Sequence, residues 1–435
     1  METQRTLEYD AMVVGGGIAG LQAALDLADQ DFSVAVIEKD TTIGGKMIRL
    51  SKVFPTLDCA SCITTPKMAA AAHHEKIAIF TDCDLTSLDR QADGGLAASI
   101  TRRPRYVDPN KCIGCRQCEY ACPVFVPDEE QGGFTLRKAV HIPFSNAIPQ
   151  IATLDVENCS LCGKCAKVCP TDAIVYDQQA EDFAIVAKTA VVATGFNPTP
   201  ADQKAAYGQG RLRNVITAMQ MERLLAPHGP YMRLIRPSDG KEPESIAYVQ
   251  CAGSRDQSLG VSYCSRVCCM YAIKQAMLIS GALPLADITI YYMDIRAFGK
   301  GYEQFFQNAK AMGIEFVKGK IAKISQAADQ NLELRYEAQE EDGRLVTREH
   351  DLVVLSVGMV PQWNPAGVCH LPTSDDHFIQ CSMPQIQPTV TPMDGVFVAG
   401  VAAGPKDIVD TIAEAGAAAI EASNYLKRFT GYQAA

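Results

Sequence analysis

No apolar run in this sequence approaches the roughly 18 residues that a helix needs to cross a bilayer. Its opening, "METQRTLEYDAMVVGGG", lacks the charged, apolar and small-residue pattern of a secretory leader. Basic residues are in deficit as well: 40 Lys and Arg against 50 Asp and Glu leave a formal charge of −10. That balance argues against nucleic acid or an anionic membrane surface as a partner, because both attract a clustered basic face. The expected setting is the cytoplasm, with any membrane association made through another subunit. At 435 residues and 47% hydrophobic content, the chain has material for about two to three domains of ordinary size.

Cysteine is not scarce. There are 17, and a chain of this length without an export signal has no need of disulfide staples, which leaves metal or redox work. Eight of them form two matching runs, "CIGCRQCEYACP" and "CSLCGKCAKVCP". Each has Cys at i, i+3, i+6 and i+10 followed by Pro: Cys112, Cys115, Cys118 and Cys122, then Cys159, Cys162, Cys165 and Cys169. This is the spacing of two-cluster ferredoxins, in which three thiolates of a run hold one [4Fe–4S] cluster and the fourth crosses to the other. The expected sets are therefore Cys112, Cys115, Cys118 and Cys169 for one cluster, and Cys159, Cys162, Cys165 and Cys122 for the second. Zinc needs only four ligands and does not account for the duplication. Cys83, Cys369 and Cys381 stand alone in the sequence and are expected to be packed thiols.

The segment from Tyr9 to Asp40 alternates a β-rich run, a glycine turn, an Ala- and Leu-rich helical stretch and a second strand. Its fingerprint is Gly15-x-Gly17-x-x-Gly20, with Glu38 placed to bind a ribose hydroxyl. Gly15 makes the tight turn, Gly17 lets a pyrophosphate approach, and Gly20 permits close helix–strand packing, while the helix N-terminus offers unpaired N–H groups. The phrase "IGGKM", with Gly44, Gly45 and Lys46, follows shortly after. Together these resemble the two-dinucleotide-binding-domain flavoproteins, where FAD fills this first site. "TAVVATGFNP", with Thr194 and Gly195, and "DGVFVAGVAAGPKDIVDTIAEAGAAAI", with Gly400, Lys406 and Asp407, strengthen the resemblance. Such flavoproteins carry an Asp after the last strand's glycine to hold the ribityl chain, whereas here Val401 follows Gly400, which leaves that contact to a backbone group. The helix beginning near Asp407 is expected to aim its positive end at the flavin, and Lys406 is either a tuning residue or a solvated loop lysine.

The second nucleotide-like half lacks its glycine fingerprint. "ESIAYVQCAGSRD" reads as a strand that ends at Cys251, and "YCSRVCCMYAIKQAMLIS" as a helical stretch whose first turns hold Cys264, Cys268 and Cys269. Cys264 and Cys268, four apart, are expected on one helix face. The four thiols are expected to hold a third cluster; the alternative is a cysteine-rich helix packed on the sheet. Cys59-x2-Cys62, in "FPTLDCASCITTPKM", lies where disulfide flavoreductases carry a redox pair, and a following helix would lower a thiol's pKa. A redox pair, ligands to a partner's group and inert pocket thiols stay open for these two. His73 and His74 have no cysteine or carboxylate at metal spacing and read as surface residues.

The combination of "GGKM", "FPTLDCASCITTPKM", the ferredoxin insert, "QCAGSRD", "YCSRVCCMYAIK" and "VAGVAAGPKDI" resembles the FAD and iron–sulfur subunit of heterodisulfide reductase, together with its relatives in quinone-interacting and other multisubunit oxidoreductases. The resemblance implies an α/β, thioredoxin reductase-like flavoprotein with an inserted α+β two-cluster ferredoxin domain. Its implied boundaries are 1–105, 179–244 and 361–435 for the three parts of an FAD-binding domain, 106–178 for the insert, and 245–360 for a degenerate NAD-binding-like domain. It also implies FAD, two [4Fe–4S] clusters and a third, and electron transfer among iron–sulfur and electron-input subunits. Some members bifurcate electrons, and members assemble as dimers of larger units. Longer members carry a further ferredoxin module that this sequence does not include, which leaves the acceptor open. The competing readings are a stand-alone NAD(P)H- or disulfide-dependent flavoreductase using Cys59 and Cys62, and a docking scaffold whose cysteines serve structure.

Overall fold

The computed structural model describes residues 5–327, 329–339 and 342–429. The chain forms two compact units, one from the described parts of Met1–Ile48, Cys62–Phe196 and Pro361–Ala435, the other from Arg49–Ser61 and Asn197–Val360.

The first unit is built on a parallel five-stranded sheet in the order Val396–Val398, Thr189–Val192, Ala11–Val14, Val34–Ile37, Ile77–Phe80. The first four of these strands are buried along their whole length, which is why they read as unbroken Val- and Ala-rich runs rather than alternating ones. Alternate residues then serve two faces. Val13, Val34, Val36 and Val191 meet the helices Ile18–Ala28 and Ile408–Phe429 through a seam of alanines, among them Ala23, Ala24, Ala415 and Ala419. Met12, Ile37, Val192 and Val398 face the other way, onto Leu88, Ile100, Phe183 and Ile185 of a four-stranded sheet. Cys83, Cys369 and Cys381 are buried in this second layer, as packed thiols.

The cysteine runs sit in a small subdomain closed by the Val107–Ile174 bridge. Two five-residue helices, Gln117–Ala121 and Lys164–Val168, repeat one local plan. Each follows a left-handed residue, Arg116 or Gly163, and ends at a cysteine in extended conformation, Cys122 or Cys169. Its core is small, with Val107, Val140, Ile142 and Leu154 packed around Cys118, Cys122 and Cys165. Polar contacts fasten it to the glycine-turn region. Ile43 N–H donates to Ile148 O at 3.0 Å, Ile148 N–H donates to Thr42 Oγ1 at 2.9 Å, and Asn146 Nδ2 donates to Thr65 Oγ1 at 2.6 Å. At its root, buried Arg105 pairs with buried Asp82 and donates to Thr81 Oγ1 at 2.8 Å.

The second unit carries a seven-stranded sheet in the order Val215–Thr217, Leu352–Val357, Ser245–Ala252, Asp287–Tyr292, Glu315–Gln326, Leu332–Ala338, Arg344–His350. The first five strands run parallel and the last two join by antiparallel pairing. A capping box of Thr217 and Gln220 starts the helix Ala218–Leu225. That helix places Glu222 against Lys274 of the helix Cys268–Ala282, both about 2% exposed. Glu222 also accepts from Ser51 N–H at 2.9 Å and Ser51 Oγ at 2.6 Å, and Lys274 Nζ donates to Lys52 O at 2.8 Å. Burial works against the carboxylate, but the neighbouring ammonium and the Ser51 and Gln275 hydrogen bonds outweigh it and hold Glu222 below its ordinary range.

Candidate functional site

The carboxyl ends of three neighbouring parallel strands bring the nucleotide-type residues to one sheet edge. Gly15 follows Ala11–Val14, Thr194 and Gly195 follow Thr189–Val192, and Gly400 follows Val396–Val398. Gly15 is required by the protein itself: its φ is 111°, and a Cβ there would stand 2.4 Å from Ala193 O. Gly20 is required for the same kind of reason, since its Cβ would meet Gly15 O at 1.8 Å. Gly17 differs. Its φ of −77° and ψ of −175° suit any residue, and a Cβ would find only Gly45 Cα, at 4.0 Å. No steric demand of the protein explains this glycine. Gly17 and Gly45 approach each other closely at the N-terminus of Ile18–Ala28 and leave bare backbone there, a glycine cradle of the kind that an approaching pyrophosphate fits.

Glu38 is 6% exposed and accepts from Gly16 N–H at 2.6 Å and Asp40 N–H at 2.8 Å. Burial pushes its carboxyl up to about 7, despite those two bonds. Lys46 Nζ lies 3.2 Å from Gln362 Oε1 and 5.3 Å from the centre of the Phe196 ring, beside the Thr194–Gly195 turn. The long helix begins at Ile408, one residue beyond the expected start, and Asp407 Oδ1 accepts from Asp410 N–H at 2.8 Å. Lys406 is not a solvated loop lysine. Its ammonium is held by both oxygens of Glu414, at 2.7 and 2.6 Å. Sequence reasoning missed Glu414, whose only signal was an acidic residue amid the alanines of that helix.

In the ferredoxin-like subdomain, Cys112, Cys115, Cys118 and Cys169 line one small, partly open recess. These are the four cysteines that the crossed pairing groups together. Cys118 lies within electrostatic reach of Cys112, Cys115 and Cys165, and Tyr176 within reach of Cys159, Cys162 and Cys165. Burial pushes the Cys118 thiol up to about 11, so metal binding has to displace a proton there. Among the described residues no three Cys, His, Asp or Glu side chains converge on a point suited to a single metal ion. An all-sulfur donor set spread around a recess fits a multi-iron core better than one zinc.

The second unit assembles Cys251, Cys264, Cys268 and Cys269. Every pair among these four thiols is close enough for one charge to act on the other. Cys251 adopts a left-handed φ of 56° at an irregularity in its strand. The expected helix starts later than the sequence indicated. It begins at Cys268, so Cys264 lies in the preceding loop and the shared-face argument for Cys264 and Cys268 fails. The reason is local: Arg266 is left-handed and Val267 N–H bonds to Ser265 O, which breaks the helical path before Cys268. The four thiols are brought together by a loop rather than by a helix face.

Cys59 is half-buried at a bridge with Lys52 and belongs to the second unit. Cys62 is exposed in the first turn of the helix Ala60–His73 and belongs to the first. His73 is exposed, and His74 Nε2 lies 3.6 Å from Asp29 Oδ1.

Parallel nucleotide-binding sheet, glycine cradle and buried acidic residue define a flavoprotein-type oxidoreductase fold. The chain belongs to the pyridine nucleotide-disulphide oxidoreductase family, whose model matches residues 9–422. It is similar to a subunit of the H(2):CoB-CoM heterodisulfide,ferredoxin reductase of Methanothermobacter marburgensis, with 42% identity over 96% of this chain and 64% of that protein. The corresponding iron-sulfur subunit of the CoB--CoM heterodisulfide reductase of Methanocaldococcus jannaschii is 43% identical, again over 96% of this chain and 64% of that protein. The chain thus spans about 64% of the length of these relatives, and the resemblance seen in its motifs holds. Among solved structures, thioredoxin reductase from T. acidophilum matches with a TM-score of 0.53 and 15% identity, over 98% of this chain and 99% of that one, which supports the thioredoxin reductase-like fold. Among the described residues no helix is long and apolar enough to cross a membrane.

Proposed function

We propose that this chain is the FAD- and iron–sulfur-carrying electron-transfer subunit of a heterodisulfide reductase-like complex. The observation that carries the reading is the recess shared by Cys112, Cys115, Cys118 and Cys169, in a subdomain bonded directly to Thr42 and Ile43 beside the glycine cradle. When bound, FAD exchanges electrons in pairs or singly and each cluster takes one at a time, so the insert serves as a wire between flavin and a partner.

In this reading Gly15, Gly17, Gly20, Gly44 and Gly45 shape the dinucleotide groove, and Glu38 binds the ribose. Lys46, Thr194, Gly195, Gly400, Lys406 and Asp407 border the flavin. Cys112, Cys115, Cys118 and Cys169 hold one [4Fe–4S] cluster, Cys159, Cys162, Cys165 and Cys122 a second, and Cys251, Cys264, Cys268 and Cys269 a third. The domain boundaries at 105/106, 178/179 and 360/361 belong to the same proposal, whereas the expected boundary at 244/245 falls inside the second unit, whose long segment begins at Asn197 and whose sheet includes Val215–Thr217. Carriers in both units are what dividing a flavin's electrons between two acceptors requires, and the partners are the iron–sulfur and electron-input subunits of the complex, joined as a dimer of larger units. A reducing cytoplasm suits free thiolate ligands. Cys59 and Cys62 fall in different units, and no role in catalysis is assigned to them.

Cysteine replacements test the crossed ligand sets. Cys115→Ser and Cys169→Ser should each remove about four iron per chain and the same electron paramagnetic resonance signal, while FAD stays bound. Cys122→Ser should instead match Cys162→Ser. Identical spectra for Cys169→Ser and Cys162→Ser contradict the assignment.

A further inference from the structure

The last strand of the flavin-type sheet is followed by Gly400 and Val401, where related flavoproteins have a glycine and an aspartate. Val401 is buried and brings no charge to the turn. A carboxylate reaches the turn all the same, from the second helical turn of Ile408–Phe429. Glu414 Oε2 accepts the Gly400 N–H at 2.7 Å, and both carboxylate oxygens accept from Lys406 Nζ. The pair is largely enclosed, with side chains 10% and 13% exposed. Gly400 in turn presses on the first helix: its φ is 68°, and a Cβ would stand 2.9 Å from Ala19 Cβ. One carboxylate therefore fastens both ends of the Gly400–Lys406 turn, on the sheet edge that carries Gly15 and Gly195.

We propose that Glu414 is a positioning residue of the flavin site, which fixes the Gly400–Lys406 turn and, through its pairing with Lys406, sets the charge the turn presents to the flavin. The inference rests on the FAD reading above. A salt bridge on a helix surface joins residues three or four apart; this one reaches back 8 residues to Lys406 and 14 to the Gly400 amide, so it shapes the turn and not the helix. Charge near a flavin acts through the difference between its oxidised form and its negatively charged reduced form. An uncompensated ammonium favours the reduced form, and an uncompensated carboxylate opposes it.

The test is a spectroelectrochemical titration of the full, FAD- and cluster-loaded chain under anaerobic conditions. Glu414→Gln leaves the Lys406 charge unbalanced and should favour reduced flavin about tenfold, a rise of about 30 mV for a two-electron couple. Lys406→Met leaves the carboxylate unbalanced and should shift the potential by a similar amount the other way. Glu414→Asp keeps the charge and should stay near the wild-type potential. Unchanged potentials, or shifts of the same sign, in variants that hold one FAD overturn the role of Glu414. If Glu414→Gln fails to retain flavin, the sign of the Lys406→Met shift decides. A wild-type chain without FAD instead overturns the flavin reading itself, and this inference with it.

Discussion

Lys274→Met is expected to cost the chain about 3–5 kcal/mol of stability, because it leaves the Glu222 carboxylate buried without its counter-charge. Glu222 is 2% exposed, its other side-chain partners among the described residues are the neutral Ser51 and Gln275, and Lys52 O loses its donor at the same time. In urea, that loss should move the unfolding midpoint down by about 1–2 M at a slope of a few kcal/mol per M. Adding Glu222→Gln should restore much of it, since a neutral amide still accepts from Ser51 while the stranded charge is gone. A shift worth less than about 1 kcal/mol would mean that the pair contributes no more than an exposed salt bridge. The pair matters for the site because it holds Ser51 and Lys52, at the neck of the loop that ends at Cys59, against the helix that starts with Cys268 and Cys269.

The second large effect separates folding from cofactor binding at the glycine turn. Gly17→Ala should leave the fold intact, because the backbone there is extended and a Cβ meets no protein atom closer than 4.0 Å. FAD affinity should nevertheless fall about 10- to 100-fold, the equivalent of about 1–3 kcal/mol for forcing a methyl group into a filled space. Gly20→Ala should behave differently. Its Cβ would lie 1.8 Å from Gly15 O, so the strand and helix must part, and stability and flavin are lost together. Fluorescence titration of FAD beside circular dichroism distinguishes the two. Wild-type FAD affinity in Gly17→Ala would place the pyrophosphate somewhere other than beside Gly17.

Much of this architecture was legible in the sequence because its signals are local. The run from Tyr9 to Glu38 folds as the expected strand–turn–helix–strand, and each CP-terminated cysteine run forms a left-handed residue, one short helix and an extended cysteine. Spacing sufficed to group the cysteines of one recess, since they lie within a few residues of each other or in a repeat. It failed at Cys264. The four-residue interval to Cys268 fits a helix, but the left-handed Arg266 ends any helix before Cys268 begins one.

The charged contacts were invisible for a related reason. Glu222 and Lys274 are 52 residues apart, and Arg105 and Asp82 are 23 apart. Neither pair has a periodicity to announce it, and each exists only once tertiary packing has removed its members from water. Glu414 sits on a helix whose alanine seam is plain from composition, yet its reach back to Gly400 depends on the turn between them. The same holds for Arg49–Ser61, which packs with the second unit although the sequence places it beside the first glycine turn.

Whether this chain holds flavin together with three iron–sulfur clusters is tested most directly by the iron, acid-labile sulfide and FAD content of protein purified without oxygen. About twelve iron, twelve sulfide and one FAD per chain are expected. About eight iron with one FAD would contradict the Cys251, Cys264, Cys268 and Cys269 site and return those thiols to packing. A chain with neither sulfide nor FAD would contradict the flavin and iron–sulfur reading altogether.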